Sequence, residues 1–378
     1  MRVCLFTPTF LPMQGGAEFA ADRVLRGLAE RGHEVFALAE NQGRGLPDVP
    51  YPVRHYRRPP AQHLWPEVLG LALCKAWRRW RFDVVLAFYG YPTGYAATTV
   101  RKRLGCPVVV SARGADLYPN FHALKKPRVV ATIRKGYQRA DRIISISDYL
   151  TQRLHEVARG ALPPIDQVPN GIDLAEHDRQ LEAARQSVPE AAAQHALHEH
   201  PFVLHLARLG AVKRHAVALD ALRRAAPAMR EKNWRYVIAG QGAEEAALRE
   251  QTHAAGLDDL VIFAGHCTGP AKYWLLGHAQ LLVSTSREEG MPNVFLEAMA
   301  SGLPTLASDI LPHRELLAGR KWGRLFPLDD AGAMAAELSA LIETDLAPLR
   351  RAAMALREQY SLDRMIAGYE QACAKAGT

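Results

Sequence analysis

A chain of 378 residues, 48% of them hydrophobic, is long enough for about two domains with full cores. No apolar run reaches about 18 residues, which excludes a membrane-spanning helix. The five cysteines (Cys4, Cys74, Cys106, Cys267 and Cys373) are scattered without a CxxC pair, which excludes a disulfide framework and reads as a reduced, cytoplasmic protein. The net charge of +8 is uneven: residues 1–170 hold 25 Lys and Arg against 13 Asp and Glu, a net +12, and the remaining 22 against 26 give −4. A basic excess confined to the first half can face nucleic acid, an anionic membrane or an anionic small molecule.

The start, MRVCLFTPTF, has one Arg and then reads as a buried strand, with no signal-peptide cleavage pattern. The loop LPMQGG and a helix over AEFAADRVLRGLAERG follow. HEVFALAE, FDVVLAFYG, PVVVSARG and RIISIS are four further strands, each with four or more apolar or β-branched residues closed by a polar residue or glycine. VPNGID (residues 168–173) reads as a structural turn near a hinge, with Asn170-Gly171 suited to positive φ. Residues 176–200 are polar and rich in Ala, Gln and His, and read as a linker or peripheral segment. The pattern then restarts with FVLHLARL, RYVIAGQG, LVIFAG, AQLLVSTS and PTLASD, and helices close the chain. Strands and helices alternating at this spacing predict two Rossmann-like, doubly wound parallel-sheet domains, 1–175 and 201–355, facing a central cleft. A terminal helix over 356–378 can return to the first domain.

In open parallel sheets, ligands bind beyond the C-terminal strand ends, and the loops there carry the chemistry. The richest is SREEGMPNVFLEAMASGLPTLAS, residues 286–308. It spaces Glu289 and Glu297 eight positions apart around Gly290, Met291, Pro292 and Asn293. The turn runs into Val294–Met299, so Asn293 stands as the N-cap of a helix whose N–H groups suit a diphosphate. Glu297 then lies about one turn in, where a carboxylate accepts from a ribose diol. Read alone, the pair is an exposed turn before an ordinary amphipathic helix. Gly15 and Gly16 follow the first strand and let the backbone approach a phosphate or sugar. In HLARLGAVKRH, Arg208 and Lys213 follow the first strand of the second half, where two cations can clamp a diphosphate; read alone they are a solvated basic loop. AGQGAEEAAL lacks the third glycine of a dinucleotide fingerprint, since Glu245 stands there.

Taken together these segments resemble family 4 of the retaining glycosyltransferases. The resemblance rests on the wording EGMPNVFLEAMASGLP and the E-x7-E spacing, on GGAE (Gly15–Glu18) and RGHEV (Arg31–Val35), on ADRIISIS and VPNGID, and on ARLGAVK, AGQG and the later Glu315. It covers nearly the whole chain. It implies a GT-B fold, in which the second domain holds the nucleotide sugar and the first holds the acceptor. It also implies metal-independent transfer with retained anomeric configuration and no cofactor beyond the donor substrate. By position, Arg208 and Lys213 would hold the diphosphate and Glu297 the ribose hydroxyls. Glu289 would touch the donor sugar near the reacting carbon. Backbone groups of Gly290, Met291, Pro292, Asn293 and Val294 would hold sugar hydroxyls and phosphate, and Gly15 and Gly16 would close over the donor. Where the family often reads HGxD this chain has Arg113-Gly114-Ala115-Asp116, with Arg113 and Asp116 carried over as catalytic positions. A guanidinium can donate but cannot act as a base, so a phosphate or anionic acceptor is a new role open to Arg113. Ala207 and Arg214 stand where glycine is common and crowd the phosphate loop.

CKAWRRWRF (residues 74–82) mixes Lys75, Arg78, Arg79 and Arg81 with Trp77, Trp80 and Phe82, and Arg101 to Arg103, Lys125-Lys126 and Arg134-Lys135 add to the same half. Trp–Arg mixtures suit a membrane interface; the bland alternative is a helix with its Trp in the core. No nucleic-acid signature is present. His195, His198 and His200 read as solvated rather than metal-binding. The expected function is transfer of a sugar from a nucleotide-diphosphate donor, UDP rather than GDP, to a polysaccharide, lipid-linked or other cell-envelope acceptor by a peripheral protein at the inner membrane face. A sugar-nucleotide epimerase of similar fold, or an inactive GT-B partner in an envelope-assembly complex, are the alternatives.

Overall fold

Val, Ile, Leu and Ala fill most positions of the interior strands without alternation, the pattern of strands covered on both faces. The computed structural model accordingly contains two all-parallel sheets. It describes residues 1–377 except 14, 42, 44, 46, 47, 120 and 187, and leaves the side chains of 122, 123 and 191 aside. One position of the loop LPMQGG, Gln14, lies outside the described residues.

The chain divides into two compact units, Met1–Gly171 with Leu362–Thr378, and Ile172–Ser361. The first holds β1 (Arg2–Thr7), β2 (Glu34–Glu40), β3 (Val53–Tyr56), β4 (Val84–Phe88), β5 (Val108–Ala112), β6 (Arg142–Ser145) and β7 (Ile165–Gln167), in the order β3-β2-β1-β4-β5-β6-β7. The second holds β8 (Phe202–Leu206), β9 (Arg235–Ala239), β10 (Val261–Gly265), β11 (Leu281–Ser284), β12 (Thr305–Ser308) and β13 (Gly323–Phe326), in the order β10-β9-β8-β11-β12-β13. Each sheet reverses its winding once, between β1 and β4 and between β8 and β11. Those are the switch points where doubly wound sheets bind ligands.

In the second unit, alternate residues of the same strands serve two cores. Val203, Ile238, Val283 and Leu306 pack with Leu222 and Met229 on one face, and Leu204, Val237, Leu282 and Ala307 with Trp274, Phe295 and Leu296 on the other. Residues 176–200 are folded in this unit. They form part of the helix Leu174–Ala184, then Glu190–Gln194 and a 3-10 turn at Leu197–Glu199. His177, Ala184, Ala192 and Leu197 are buried there, so the stretch is packed structure rather than a free linker.

The terminal helix starts at Leu362 and belongs to the first unit, where Met365, Ile366, Tyr369 and Cys373 pack against the β1 and β4 core. The RGHEV segment anchors it: Arg31 pairs with Asp363 and, at 2.7 Å, with Glu370, while His33 Nε2 lies 2.8 Å from the same Glu370 carboxylate. In the helix Trp65–Trp80 the aromatic residues are partly used for packing. Trp80 stacks on Phe36 with centroids 4.9 Å apart, Arg81 covers Trp77 at 4.3 Å, and Phe82 is buried. Lys75, Arg78, Arg79 and Arg81 are exposed.

Candidate functional site

In the second unit the predicted residues lie on loops at the C-terminal ends of β8 and β11. The loop after β8, residues 207–214, is clamped from both sides. Ala207 N donates to Ala239 O at 3.1 Å, and Leu209 N to Gln241 O at 3.1 Å. On the other side Thr285 Oγ1 donates to the carbonyls of Lys213 and Arg214 at 2.7 and 3.0 Å, and Arg287 N donates to Val212 O. The glycines of AGQG make this approach possible. A Cβ at Gly240 would lie 1.9 Å from Ala207 O, and one at Gly242 2.1 Å from Leu209 O. Gly240 also has φ +150°, where a side chain is strained. Gly240→Ala is therefore expected to displace the 207–214 loop, lowering stability by about 2 kcal/mol or more and nucleotide affinity by at least about tenfold. Thermal unfolding and calorimetric titration of UDP read the two effects. Arg214 has φ +54°, a backbone conformation that favours glycine, and its guanidinium turns to Asp329 at 2.6 Å.

Lys213 Nζ meets Glu289 Oε1 at 2.5 Å, with the two side chains 25% and 14% exposed. Burial raises the Glu289 carboxyl, but the Lys213 ammonium beside it outweighs burial, and His313 and Ser286 add to the same effect, so Glu289 is held below the usual carboxylate range. An ammonium has three donors, and Glu289 takes one. Arg208 is exposed, and its guanidinium has no ion pair or hydrogen bond among the described residues. The helix after the Glu289 turn spans Asn293–Ala300. Its N-cap is Pro292 rather than Asn293. Pro292 has the extended backbone of a cap and brings no capping side chain, and Asn293 already lies in the helix. Gly290 and Pro292 are buried; Met291, Asn293 and Val294 are half-buried.

Glu297 stands one turn into that helix and pairs with Lys272 Nζ at 2.9 Å. Lys272 lies on the helix Gly269–His278, and no sequence motif marks it. His313 is a second residue that motif reading misses. Its Nδ1 donates to Ser308 O at 2.7 Å, its ring stacks on Phe295 with centroids 4.6 Å apart, and Ser308 Oγ donates to Ser286 O at 2.6 Å. Burial pushes the His313 imidazole down to about 4, with Glu289 pulling the other way. The neutral ring thus ties the ends of β11 and β12 to the start of the Glu297 helix. Glu315 is half-buried on the helix Leu311–Leu317.

In the first unit Gly15 is the N-cap of the helix Gly16–Glu30. A Cβ on Gly15 would lie 2.3 Å from Glu18 Oε2, so glycine lets the Glu18 carboxylate fold back over the helix start. Arg113, just past β5, is 7% exposed; its Nη1 donates to the Tyr369 hydroxyl at 3.1 Å and its guanidinium lies 5.0 Å from the Phe88 ring centroid. Asp116 is 2% exposed. It accepts from Gly90 N at 2.8 Å, Tyr91 N at 3.1 Å and the Tyr137 hydroxyl at 3.0 Å. Burial pushes its carboxyl up to about 6 against these donors. Asp116, read as a catalytic position from the sequence, is buried in the structure and anchors the Gly90–Gly94 turn, with both its oxygens accepting hydrogen bonds.

Two family models match the chain, "Glycosyltransferase Family 4" over residues 14–176 and "Glycosyl transferases group 1" over residues 187–358. The chain is 22% identical to the N-acetyl-alpha-D-glucosaminyl L-malate synthase of Bacillus anthracis, over 96% of this chain and 94% of that one. It is 24% identical to the alpha-monoglucosyldiacylglycerol synthase of Streptococcus pneumoniae, over 91% and 79%. Among solved structures, Anabaena HepE in complex with UDP superposes with a TM-score of 0.80 at 18% identity, over 99% of this chain and 100% of that one.

Proposed function

Because this chain belongs to the group 1, family 4 glycosyltransferases and takes its sugar from a nucleotide donor, we propose that it transfers that sugar with retention of anomeric configuration, without a metal or other cofactor, to a cell-envelope acceptor. The observation that carries this reading is the Lys213–Glu289 pair at the β8 and β11 strand ends. Breaking a glycosyl–phosphate bond builds positive charge on the sugar and negative charge on the departing diphosphate. Lys213, with exposed Arg208 on the same loop, supplies fixed positive charge for the leaving group. Glu289, held ionised by Lys213, supplies negative charge for the anomeric carbon. Glu297, oriented by Lys272, offers its second oxygen to the ribose diol. The departing phosphate takes the acceptor's proton, so no separate base is assigned.

UDP is the proposed nucleotide. HepE has been solved with UDP and with UDP-glucose. A lipid-linked or polysaccharide acceptor at the inner membrane face fits the exposed Lys75, Arg78, Arg79 and Arg81, and no helix among the described residues is long and apolar enough to cross a membrane. The test is the anomeric coupling constant of the product formed from an α-linked UDP-sugar, with EDTA present. An α-linked product at an unchanged rate supports the reading. A β-linked product, or a rate abolished by EDTA, contradicts it.

A further inference from the structure

Arg113 holds a buried positive charge that pairs with no carboxylate among the described residues. At 7% exposure its guanidinium meets a phenol hydroxyl and an aromatic face, both neutral, and its Nε has no partner. Other well-covered arginines of the chain are treated differently: Arg142, 17% exposed, pairs with Asp166, and Arg357, 13% exposed, pairs with Asp178. The nearest acid in sequence, Asp116, spends its oxygens on Gly90, Tyr91 and Tyr137. A guanidinium buried without an anion is unfavourable, and Arg is the residue whose planar fork suits carboxylate and phosphate.

Its position points the same way. Gly15 and Glu18 follow β1 and Tyr89 follows β4, the two strands that flank the switch point, and Arg113 follows β5, the strand next to β4. The surrounding sequence, residues 1–170, carries 25 basic against 13 acidic residues. Tyr369, from the terminal helix, fixes the guanidinium, and Ser111 Oγ lies 2.9 Å from the Tyr369 hydroxyl and fixes that in turn.

We propose that the first unit takes an acceptor bearing an oxyanion, a carboxylate or a phosphate, and that Arg113 is the residue that binds it. This rests on the transferase reading above, but its test separates the two. With UDP saturating, the protein is titrated calorimetrically with glycerol 1-phosphate, L-malate and neutral glycerol, and by sedimentation with phosphatidylglycerol or phosphatidylcholine vesicles. The expected result is binding of at least one anionic probe and neither neutral one. That binding should weaken about tenfold or more in Arg113→Gln and be partly kept in Arg113→Lys. A phosphate-only response names a phosphorylated acceptor, vesicle binding a lipid headgroup, and a malate response a carboxylate. Arg113→Met should unfold no earlier than the wild type, because it removes an uncompensated charge. Anion binding that is absent, or unchanged in Arg113→Gln, overturns the proposal. A lack of UDP binding would instead count against the donor site, and the dependence on Arg113 would still be read.

Discussion

Glu289→Gln is expected to lower kcat by about 10²–10³-fold while UDP affinity stays within a few fold of wild type. The substitution keeps shape and hydrogen-bonding capacity but removes the charge proposed to face the anomeric carbon. Lys213 keeps an acceptor at Oε1 and stays near its place. A loss confined to kcat marks an interaction made in the transition state, whereas a loss in KM alone would mark simple binding. Stability gives a second readout. Because Glu289 is held below its ordinary value, its pairing with Lys213 stabilises the fold above the unfolded carboxyl's pKa and is lost as pH falls through the lower folded value. The variant should lack that share of the acid sensitivity. Single-turnover donor consumption decides the catalytic claim; an unchanged rate would remove Glu289 from the reacting centre.

Asp116→Ala is expected to destabilise the protein by about 3–5 kcal/mol, a fall of roughly 10 °C in the unfolding midpoint of a unit this size. It orphans the Gly90 and Tyr91 N–H groups and the Tyr137 hydroxyl, all buried. Asp116→Asn should be far milder, since an amide oxygen accepts from the two backbone N–H groups and its nitrogen donates to the phenol. The pH sense is opposite to that of Glu289. Burial raises the folded Asp116 carboxyl to about 6, so its contribution is full below the unfolded value near 3.8 and is lost as pH rises through 6. The difference is about 3 kcal/mol. Urea titrations of wild type and Asp116→Asn at pH 4 and pH 7 should show this slope in the first and not in the second. Should Asp116→Asn keep its stability but lose all turnover, the anchoring role would be insufficient and the carboxylate would belong to the chemistry.

The interior strands were legible because they are apolar on both faces, as at VVLAF of β4 and LLVS of β11. β3 (VRHY), β7 (IDQ) and β13 (GRLF) were not. Each is an edge strand of three or four residues whose Arg54, Asp166 or Arg324 breaks the apolar run. The stretch 176–200 looked like a linker because only a few positions, such as His177 and Leu197, face inward, and a polar composition hides so sparse a stripe.

The same division holds for the site. Glu289 and Glu297 show in the sequence because one turn and one helix fix their separation. The partners that orient the chemistry come from elsewhere: Lys272 lies 25 residues before Glu297, and Tyr369 lies 256 after Arg113. No local pattern encodes such pairings, and only the packing of the sheets brings them together. Asp116 shows the limit of a motif, which carries a residue's position but not the partners its oxygens hold.

On the proposed function, the second unit holds a nucleoside diphosphate through Lys213, Arg208 and Glu297 without a metal. The most direct measurement of this is the unfolding midpoint with saturating UDP, GDP, ADP and dTDP in turn, with and without EDTA, for the wild type and Lys213→Ala. A ligand that binds the native state alone raises the midpoint by mass action. The expected result is a rise with UDP that EDTA leaves unchanged and that Lys213→Ala largely removes. A midpoint that no nucleotide moves, or a shift that vanishes with EDTA, would contradict it.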